Sequence, residues 1–199
     1  MAGCSPLHKN MPAGLADVAS IEKFKPVFQS DLYQATIDVV GNHLSGLLLI
    51  KKMPDSSTRL VFSNEMGVSF FDFEFAANGD FKVLSVMKKL DKRSVIKTLQ
   101  HDFELVLMQN LKGPKATVKS SGDLVYFIFP QSKGYNYYIT NSSGNELLRM
   151  ERASNKKVIV EAIMKDLTGP SLKPQGAPDT IGISHKTFEF NIGLRKIQR

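Results

Sequence analysis

The sequence predicts one antiparallel β domain with a single long amphipathic helix, and two observations carry this prediction. Short segments of alternating apolar and polar residues recur along most of the 199 residues, separated by turn-forming residues. One internal segment, 91–111, instead repeats its apolar residues at helical spacing. We therefore expect a mainly β fold with helices (α+β): a curved antiparallel sheet or half-open β-barrel, covered by a central amphipathic helix and a short N-terminal helix.

The strand segments are separated by turns rich in glycine, asparagine and serine, as is typical of antiparallel hairpins. An Asn-Gly pair at 78–79, the strongest short hairpin signal, joins two of them. Apolar and polar side chains alternate within the segments, as in Phe71, Asp72, Phe73 and Glu74. This alternation indicates strands with one face in a core. The predicted strands are 31–40, 43–53, 59–66, 68–76, 81–87, 116–119, 123–130, 135–140, 146–152, 158–164, 180–185 and 187–194.

Two segments carry helical periodicity. Residues 15–28 predict a short amphipathic helix, which Pro26 should end. The central helix is expected to have Asp91 as its N-cap and to be closed by Gly113 and Pro114. Its apolar stripe needs an apolar surface, and the concave face of a curved sheet supplies one, so the helix is expected to be a lid or plug. The stripe consists of Val95, Ile96, Leu99, Phe103, Val106 and Leu107.

The composition allows a sizeable core and is compatible with several partners. With 42% hydrophobic residues, the chain can bury a core without disulfides or metals. The net charge of +7 would suit nucleic acid, an anionic membrane or an acidic partner. However, Lys and Arg are spread along the chain in short clusters, as expected of lysines that protect sheet edges, so we predict no nucleic-acid partner. No apolar stretch approaches the ~18 residues needed to span a bilayer.

Cys4 is the only cysteine, which excludes an intrachain disulfide. Ala2-Gly3-Cys4 resembles the last three positions of a bacterial lipobox, in which the cysteine thiol accepts a diacylglycerol. We predict lipidation at Cys4, with the leader removed and Met1 supplied in its place. The alternative is an ordinary cysteine in a tail. Residues 5–14 contain two prolines and suggest a spacer. The expected organisation is a lipidated tether, 1–14, followed by a single domain, 15–199.

The sequence offers no recognisable catalytic centre. His8, His43, His101 and His185 are far apart and lack metal-ligand spacing, so each is expected to be a surface or capping histidine. No nucleophile elbow, phosphate loop or dinucleotide fingerprint occurs. We therefore predict no enzyme activity, no metal and no cofactor. A hydrolase that uses the acidic pairs stays an alternative. Those pairs are Asp72 with Glu74 and Asp31 with Asp38.

The aromatic-rich strands are the other candidate feature. Segments 47–50 and 124–129 are apolar on both faces, yet only one helix is long enough to cover a sheet face. A curved sheet that is incompletely filled commonly holds one small ligand. The alternative is that these side chains simply form the core. The residues predicted to line a hydrophobic-ligand site are Leu48, Ile50, Phe62, Phe71, Phe73, Phe75, Phe103, Phe127 and Phe129.

Taken together, these features resemble the LolA/LolB-type lipoprotein-localisation factors. The similarity covers most of 15–197 in order of elements, and the segments that carry it are 44–50, Leu-Ser-Gly-Leu-Leu-Leu-Ile, 95–99, Val-Ile-Lys-Thr-Leu, and the closing stretch 178–192. The resemblance implies a half-barrel lined with apolar residues, helices that act as a lid, and the acyl chains of another lipoprotein as ligand. An anchored member is similar to the outer-membrane acceptor rather than the soluble carrier. No single functional residue of the family can be matched in this sequence.

These expectations combine into one hypothesis and one competitor. The first is a monomeric lipoprotein, anchored in the outer membrane through lipidated Cys4 and facing the periplasm, that binds lipid or lipoprotein acyl chains in a half-barrel cavity. It would serve lipoprotein localisation to the outer membrane. The competitor is a structural or interaction lipoprotein of the cell envelope, with a protein partner and no ligand. It predicts an exposed apolar patch in place of a cavity.

Overall fold

Twelve strands form one antiparallel sheet in a computed structural model that describes residues 10–39, 41–109, 111, 115–165 and 176–198. The order across the sheet is β5-β4-β3-β2-β1-β12-β11-β10-β9-β8-β7-β6, with β5 and β6 as its edges. Between β5 and β6 the chain forms helix α1 (Arg93–Val106). The strands are β1 (Ser30–Val39), β2 (Asn42–Lys52), β3 (Thr58–Ser63), β4 (Ser69–Phe75), β5 (Phe81–Val86), β6 (Thr117–Ser121), β7 (Leu124–Pro130), β8 (Tyr135–Asn141), β9 (Leu147–Ala153), β10 (Val158–Lys165), β11 (Thr180–His185) and β12 (Phe190–Lys196).

Most of the sheet consists of hairpins between strands that are consecutive in sequence, and this explains why local patterns predicted it well. Each of the twelve expected strands is present, and their antiparallel pairing is confirmed. Gly41 and Gly79 lie in turns with φ of 76° and 91°, a left-handed conformation that glycine adopts without strain. The last strand starts at Phe190 rather than at residue 187, so Phe188 lies in the preceding turn and is 45% exposed.

The two helical segments differ from their predicted boundaries. The N-terminal one is a 3-10 helix (Val18–Phe24), and the side chain of Asp17 accepts a hydrogen bond from the backbone of Ala19 at its start. Asp91 is not the N-cap of α1: Lys92 takes this position in an extended conformation and provides no side-chain cap. The chain turns into the helix one residue later than the aspartate, so the prediction of this cap was wrong.

Contacts of α1 show that the sheet wraps around it. Phe103 of α1 lies 6.1 Å from Phe71 of β4 between ring centroids, and the Tyr138 hydroxyl of β8 donates to the Leu105 carbonyl at 3.5 Å. In strand order β4 and β8 are eight steps apart. Flat strands spaced by about 4.8 Å would put them ~38 Å apart. Both strands reach neighbouring residues of one helix, so the sheet is strongly curved and α1 lies on its concave face.

The buried residues fall on both faces of this sheet. The main core lies between the concave face and α1 and includes Val95, Leu99, Phe103 and Val106 of the helix stripe. A smaller cluster lies on the opposite face, around Tyr126, Ile128, Tyr137, Ile139 and Ala153, with Met11 packed against it. Strands β7 and β8 are apolar on both faces because one face contributes to the main core and the other to the smaller cluster.

The two edge strands of the sheet, β5 and β6, differ in what lies beside them. Along β6, the backbone of Gly14 donates to Val118 at 3.0 Å and Ser120 donates to Pro12 at 3.1 Å, so the end of the expected tether adds a short paired segment to the sheet. Strand β5 ends the sheet on the other side. In the described part of the chain, neither helix has the length and apolar character required to cross a bilayer. Cys4 lies outside the described residues.

Candidate ligand-binding site

The nine residues predicted to line a ligand site belong to one buried cluster on the concave face. They come from strands that are far apart in sequence, β2, β3, β4 and β7, and from α1. None is more than 2% exposed. The structure therefore brings together Leu48, Ile50, Phe62, Phe71, Phe73, Phe75, Phe103, Phe127 and Phe129.

Side chains fill the space between these residues. The rings of Phe71 and Phe73 stack with centroids 4.4 Å apart, and Phe62 lies 5.5 Å from Phe71. Phe103 of α1 reaches the same group of rings. The apolar part of the site is thus closed by the helix in this conformation. An apolar ligand would have to take the place of helix side chains on the concave face.

Helix α1 has a capping motif at its C-terminus only, and neither terminus carries charges that match the helix dipole. Its first turn carries no acidic residue and its last turn no basic residue, so neither end is matched to the helix dipole. At the C-terminus, Met108 adopts a φ of 47°, and Gln109 donates to Glu104 while Met108 donates to Leu105. This is a Schellman motif with methionine in the position that favours glycine. The helix therefore depends on the concave face for its stability.

A polar row crosses the concave face beside the apolar cluster. Register pairs His185 of β11 with Val160 of β10, Val160 with Arg152 of β9, and Arg152 with Asn136 of β8. Val160 belongs to the core under α1, so this row faces the helix. Opposite the row, α1 presents Asp102, whose Oδ2 lies 2.8 Å from His185 Nε2.

The Asp102–His185 pair is almost completely buried, with side chains 1% and 4% exposed. Burial raises the pKa of Asp102, and the hydrogen bond from His185 opposes this shift in part. Burial also lowers the pKa of the Arg152 guanidinium, opposed by the charges of Glu104 and Asp102. The helix thus carries two acidic groups, Asp102 and Glu104, near the Arg152 guanidinium and the His185 imidazole of the row.

Two buried polar atoms of this row have no hydrogen-bond partner among the residues that the structure describes: Asn136 Oδ1 and His185 Nδ1. Arg152 forms no ion pair within 4 Å in the same part of the chain. Buried polar groups in folded proteins are nearly always paired, so an accumulation of exceptions in one row marks a functional candidate.

Sequence reasoning missed this row. His185 was expected to be a surface or capping histidine, and this prediction was wrong: a strand end here lies under the helix, so the imidazole is enclosed by Phe188 and Phe190, at 4.6 and 4.9 Å between ring centroids. One signal was available. Asp102 lies three residues after Leu99 and four before Val106, within the apolar stripe of α1, where an acid requires a buried partner.

The other acidic residues considered in the sequence are paired with basic side chains. Arg59 Nε lies 2.8 Å from Asp72 Oδ1, and Lys82 Nζ lies 2.8 Å from Glu74 Oε1. The Asp31 carboxylate is 2.9 Å from Lys196 Nζ. Asp38 and His43 form an exposed pair at 2.6 Å on the wall of a cavity of about 210 Å³ at the β1–β2 turn. Within the described ranges, no group of three or more His, Cys, Asp or Glu side chains could hold a metal ion.

Comparison with solved structures identifies the architecture. The chain is similar to a LolA superfamily protein from Nitrosomonas europaea, with a TM-score of 0.51, 8% identity, and 91% of this chain and 90% of that one covered. A DUF1329 family protein from Desulfovibrio piger matches with a TM-score of 0.46, 9% identity and coverage of 91% and 88%. A protein from Vibrio parahaemolyticus described as an outer membrane lipoprotein-sorting domain matches with a TM-score of 0.46, 8% identity and coverage of 91% and 89%.

No protein-family model matches the sequence, and no curated protein matches it either. The likeness is therefore one of fold. This chain forms an open antiparallel sheet. Its fold matches that of a LolA superfamily structure over about nine-tenths of both chains, so the architecture is of the LolA/LolB type that the sequence resembles.

Proposed function

We propose that this protein binds an apolar, lipid-like ligand, such as the acyl chains of a lipid or of a lipoprotein, between the concave face of the sheet and α1. One observation carries the proposal: an apolar surface to which β2, β3, β4 and β7 contribute is covered by a helix that has no side-chain N-cap and no charged residues matched to its dipole. Displacement of α1 would uncover this surface, and burial of an acyl chain there would contribute about 25 cal/mol per Å² removed from water. Binding of this kind makes and breaks no covalent bond, and we propose no enzymatic role.

The proposal extends to location. Lipidation at Cys4 would anchor the protein in the outer membrane, facing the periplasm, as the lipobox-like Ala2-Gly3-Cys4 suggests. Each acyl chain contributes roughly 0.8 kcal/mol per buried CH₂, so a cysteine that carries several chains is a durable anchor. The protein would act there as a monomer in lipoprotein localisation, receiving acyl chains in the way the family resemblance implies.

Native mass spectrometry of the protein purified from bacterial membranes tests the binding. We expect adducts of lipid mass, and saturable binding of the neutral fluorescent probe N-phenyl-1-naphthylamine to lipid-free protein. Absence of both adducts and probe binding would overturn the proposal. The Cys4→Ser variant provides the control for the anchor, because it should leave the membrane fraction while probe binding is unchanged.

The competing role of an interaction lipoprotein has one observation in its favour. The edge strand β5 exposes Val83 (40%) and Leu84 (47%), and the β3–β4 turn exposes Met66 (90%) and Val68 (55%). An exposed edge with apolar side chains can accept a strand from another protein. In that case Leu84→Glu would abolish in-cell crosslinks to an envelope protein, whereas a lipid-binding role predicts unchanged probe binding in this variant.

A further inference from the structure

We propose that the polar row of Asn136, Arg152 and His185 binds the anionic head group of an amphiphilic ligand, and that Asp102 occupies this position while α1 is closed. The inference rests on the proposed function, since it assigns the head-group end of the same site. The head group is an oxyanion, the carboxylate of a fatty acid or the phosphate of a phospholipid.

The row places three polar side chains on one face of the sheet, with Arg152 between the other two. His185, Arg152 and Asn136 belong to β11, β9 and β8, which lie within three strand-to-strand steps of each other. Their register places them side by side on one face, separated by the apolar Val160. The next residues on the same face of β8 and β9 are Tyr138 and Met150, and they belong to the apolar core. A head group at the row would therefore direct an attached acyl chain along the apolar concave face.

The polar row is incompletely paired while α1 is closed. In the described part of the chain, Asn136 Oδ1 and His185 Nδ1 are buried without a partner. Leaving a buried polar atom unpaired destabilises the fold. Because Asn136 Oδ1 only accepts hydrogen bonds, it would pair with a hydroxyl of the head group, and the charged oxygens would contact Arg152. Arg152 adds a half-buried guanidinium with no ion pair among the described residues. An anion at the row would pair with this group in a partly desolvated setting, where charge-assisted hydrogen bonds are strongest.

The acids of α1 act as a substitute for that anion. The Asp102 carboxylate contacts His185 directly at 2.8 Å, and the charges of Asp102 and Glu104 both act on Arg152. Glu104 is itself held by His101 and Gln100 of the same helix, at 3.0 and 2.8 Å. Movement of α1 would therefore remove both acids from the row together. The vacated position would then present a guanidinium, an imidazole and an amide, a set that suits an oxyanion.

Equilibrium binding of a matched probe pair tests the inference: the fluorescent fatty acid cis-parinaric acid and its methyl ester, measured at pH 8. Lysophosphatidic acid and its neutral monoacylglycerol counterpart, used as competitors, distinguish a phosphate source from a carboxylate source. We expect wild-type protein to prefer each anionic member. Arg152→Gln should weaken binding of the acid about 10-fold and leave the ester within about 2-fold. Asp102→Asn should tighten binding of the acid, because the competing charge is removed.

Controls separate this role from a structural one. Arg152→Lys keeps the charge and should keep the preference, and Arg195→Gln removes an exposed arginine from β12 and should change neither probe. Thermal unfolding establishes that each variant is folded. Two results would overturn the inference and leave lipid binding standing. One is equal affinity of the wild-type protein for acid and ester. The other is a loss of affinity that is the same for acid and ester and the same in Arg152→Gln and Arg152→Lys. If neither probe binds wild-type protein, the proposed function fails and the head-group site fails with it.

Discussion

Breaking the buried Asp102–His185 pair should cost far more than breaking a similar pair at the surface. Replacement of His185 by Phe fits the aromatic surroundings of Phe188 and Phe190, but it leaves the Asp102 carboxylate, 1% exposed, without its partner. An uncompensated buried charge costs about 3–5 kcal/mol. Replacement of Asp102 by Leu leaves the His185 imidazole without its partner, at about 1–3 kcal/mol. The two single variants should therefore be unequal in stability, with His185→Phe the worse.

The double variant, Asp102→Leu with His185→Phe, should recover most of this loss. Because both side chains of the pair become apolar, neither substitution leaves the other position with an unpaired polar atom. The introduced ring and aliphatic side chain can pack together, and replacements of this kind are often neutral or stabilising. We expect the unfolding free energy of the double variant to lie within about 1 kcal/mol of the wild-type value. The coupling energy of the cycle should then be at least ~2 kcal/mol.

Urea denaturation at pH 7 measures all four proteins, and the chain supplies a matched control. Asp38 and His43 form the same type of pair at 2.6 Å, but their side chains are 44% and 65% exposed. The corresponding cycle, Asp38→Leu with His43→Phe, should give a coupling energy of about 0.5 kcal/mol or less. Equal coupling energies in the two cycles, or additive losses at Asp102 and His185, would refute the argument that burial makes this pair important.

Three further predictions concern pH, the start of α1 and the close approach of two strands. Burial raises the pKa of Asp102, so this carboxyl binds its proton more tightly in the folded chain. Its contribution to stability is present below an ordinary Asp pKa of about 4 and is lost as pH rises through the raised value. Asp102→Asn should therefore gain stability relative to wild type between pH 4 and pH 7 in urea titrations, and a shift in the other direction would contradict the cause given. Lys92→Asp supplies the missing N-cap and should stabilise the protein by about 1 kcal/mol, whereas Lys89→Asp changes the same charge without a cap and should not. Gly46→Ala should destabilise by about 1–3 kcal/mol in thermal unfolding, because its Cβ would lie 2.1 Å from the Ser63 carbonyl oxygen. Gly182→Ala has no neighbour within 4 Å of its Cβ and should be near neutral; equal effects at both glycines would show that the contact does not matter.

The strands and the central helix were predictable because their information is local. Alternation at Phe71, Phe73 and Phe75 identifies a strand and its buried face without knowledge of its neighbours. Hairpins then pair most strands with the next in sequence. The boundaries of α1 were less predictable. Asp91 has the side chain of an N-cap, but the N-cap position is taken by Lys92 and the helix starts at Arg93.

The polar row could not be predicted from the sequence patterns because it depends on distant contacts. Asp102 and His185 are 83 positions apart, and only the wrapping of the sheet around α1 brings them to 2.8 Å. The nine apolar residues, in contrast, were predicted as a set because local apolar patterns already mark each of their segments as buried. Which buried face belongs to a core and which to a ligand site is not encoded in periodicity, since both require the same side chains.

The concave face makes two kinds of contact with α1, one apolar and one polar. The chain of an amphiphile could replace the first, and its head group could replace the second. Apolar contacts around Phe103 can be replaced by an acyl chain with little change in the chemistry of the interface. The contact of Asp102 with His185 cannot, because an acyl chain would leave the buried imidazole without its acidic partner. A ligand that carries both a chain and an anionic head group satisfies both parts at once. A helix held in this way should open more readily for an anionic amphiphile than for a hydrocarbon of the same length, which is the preference that the paired probes measure.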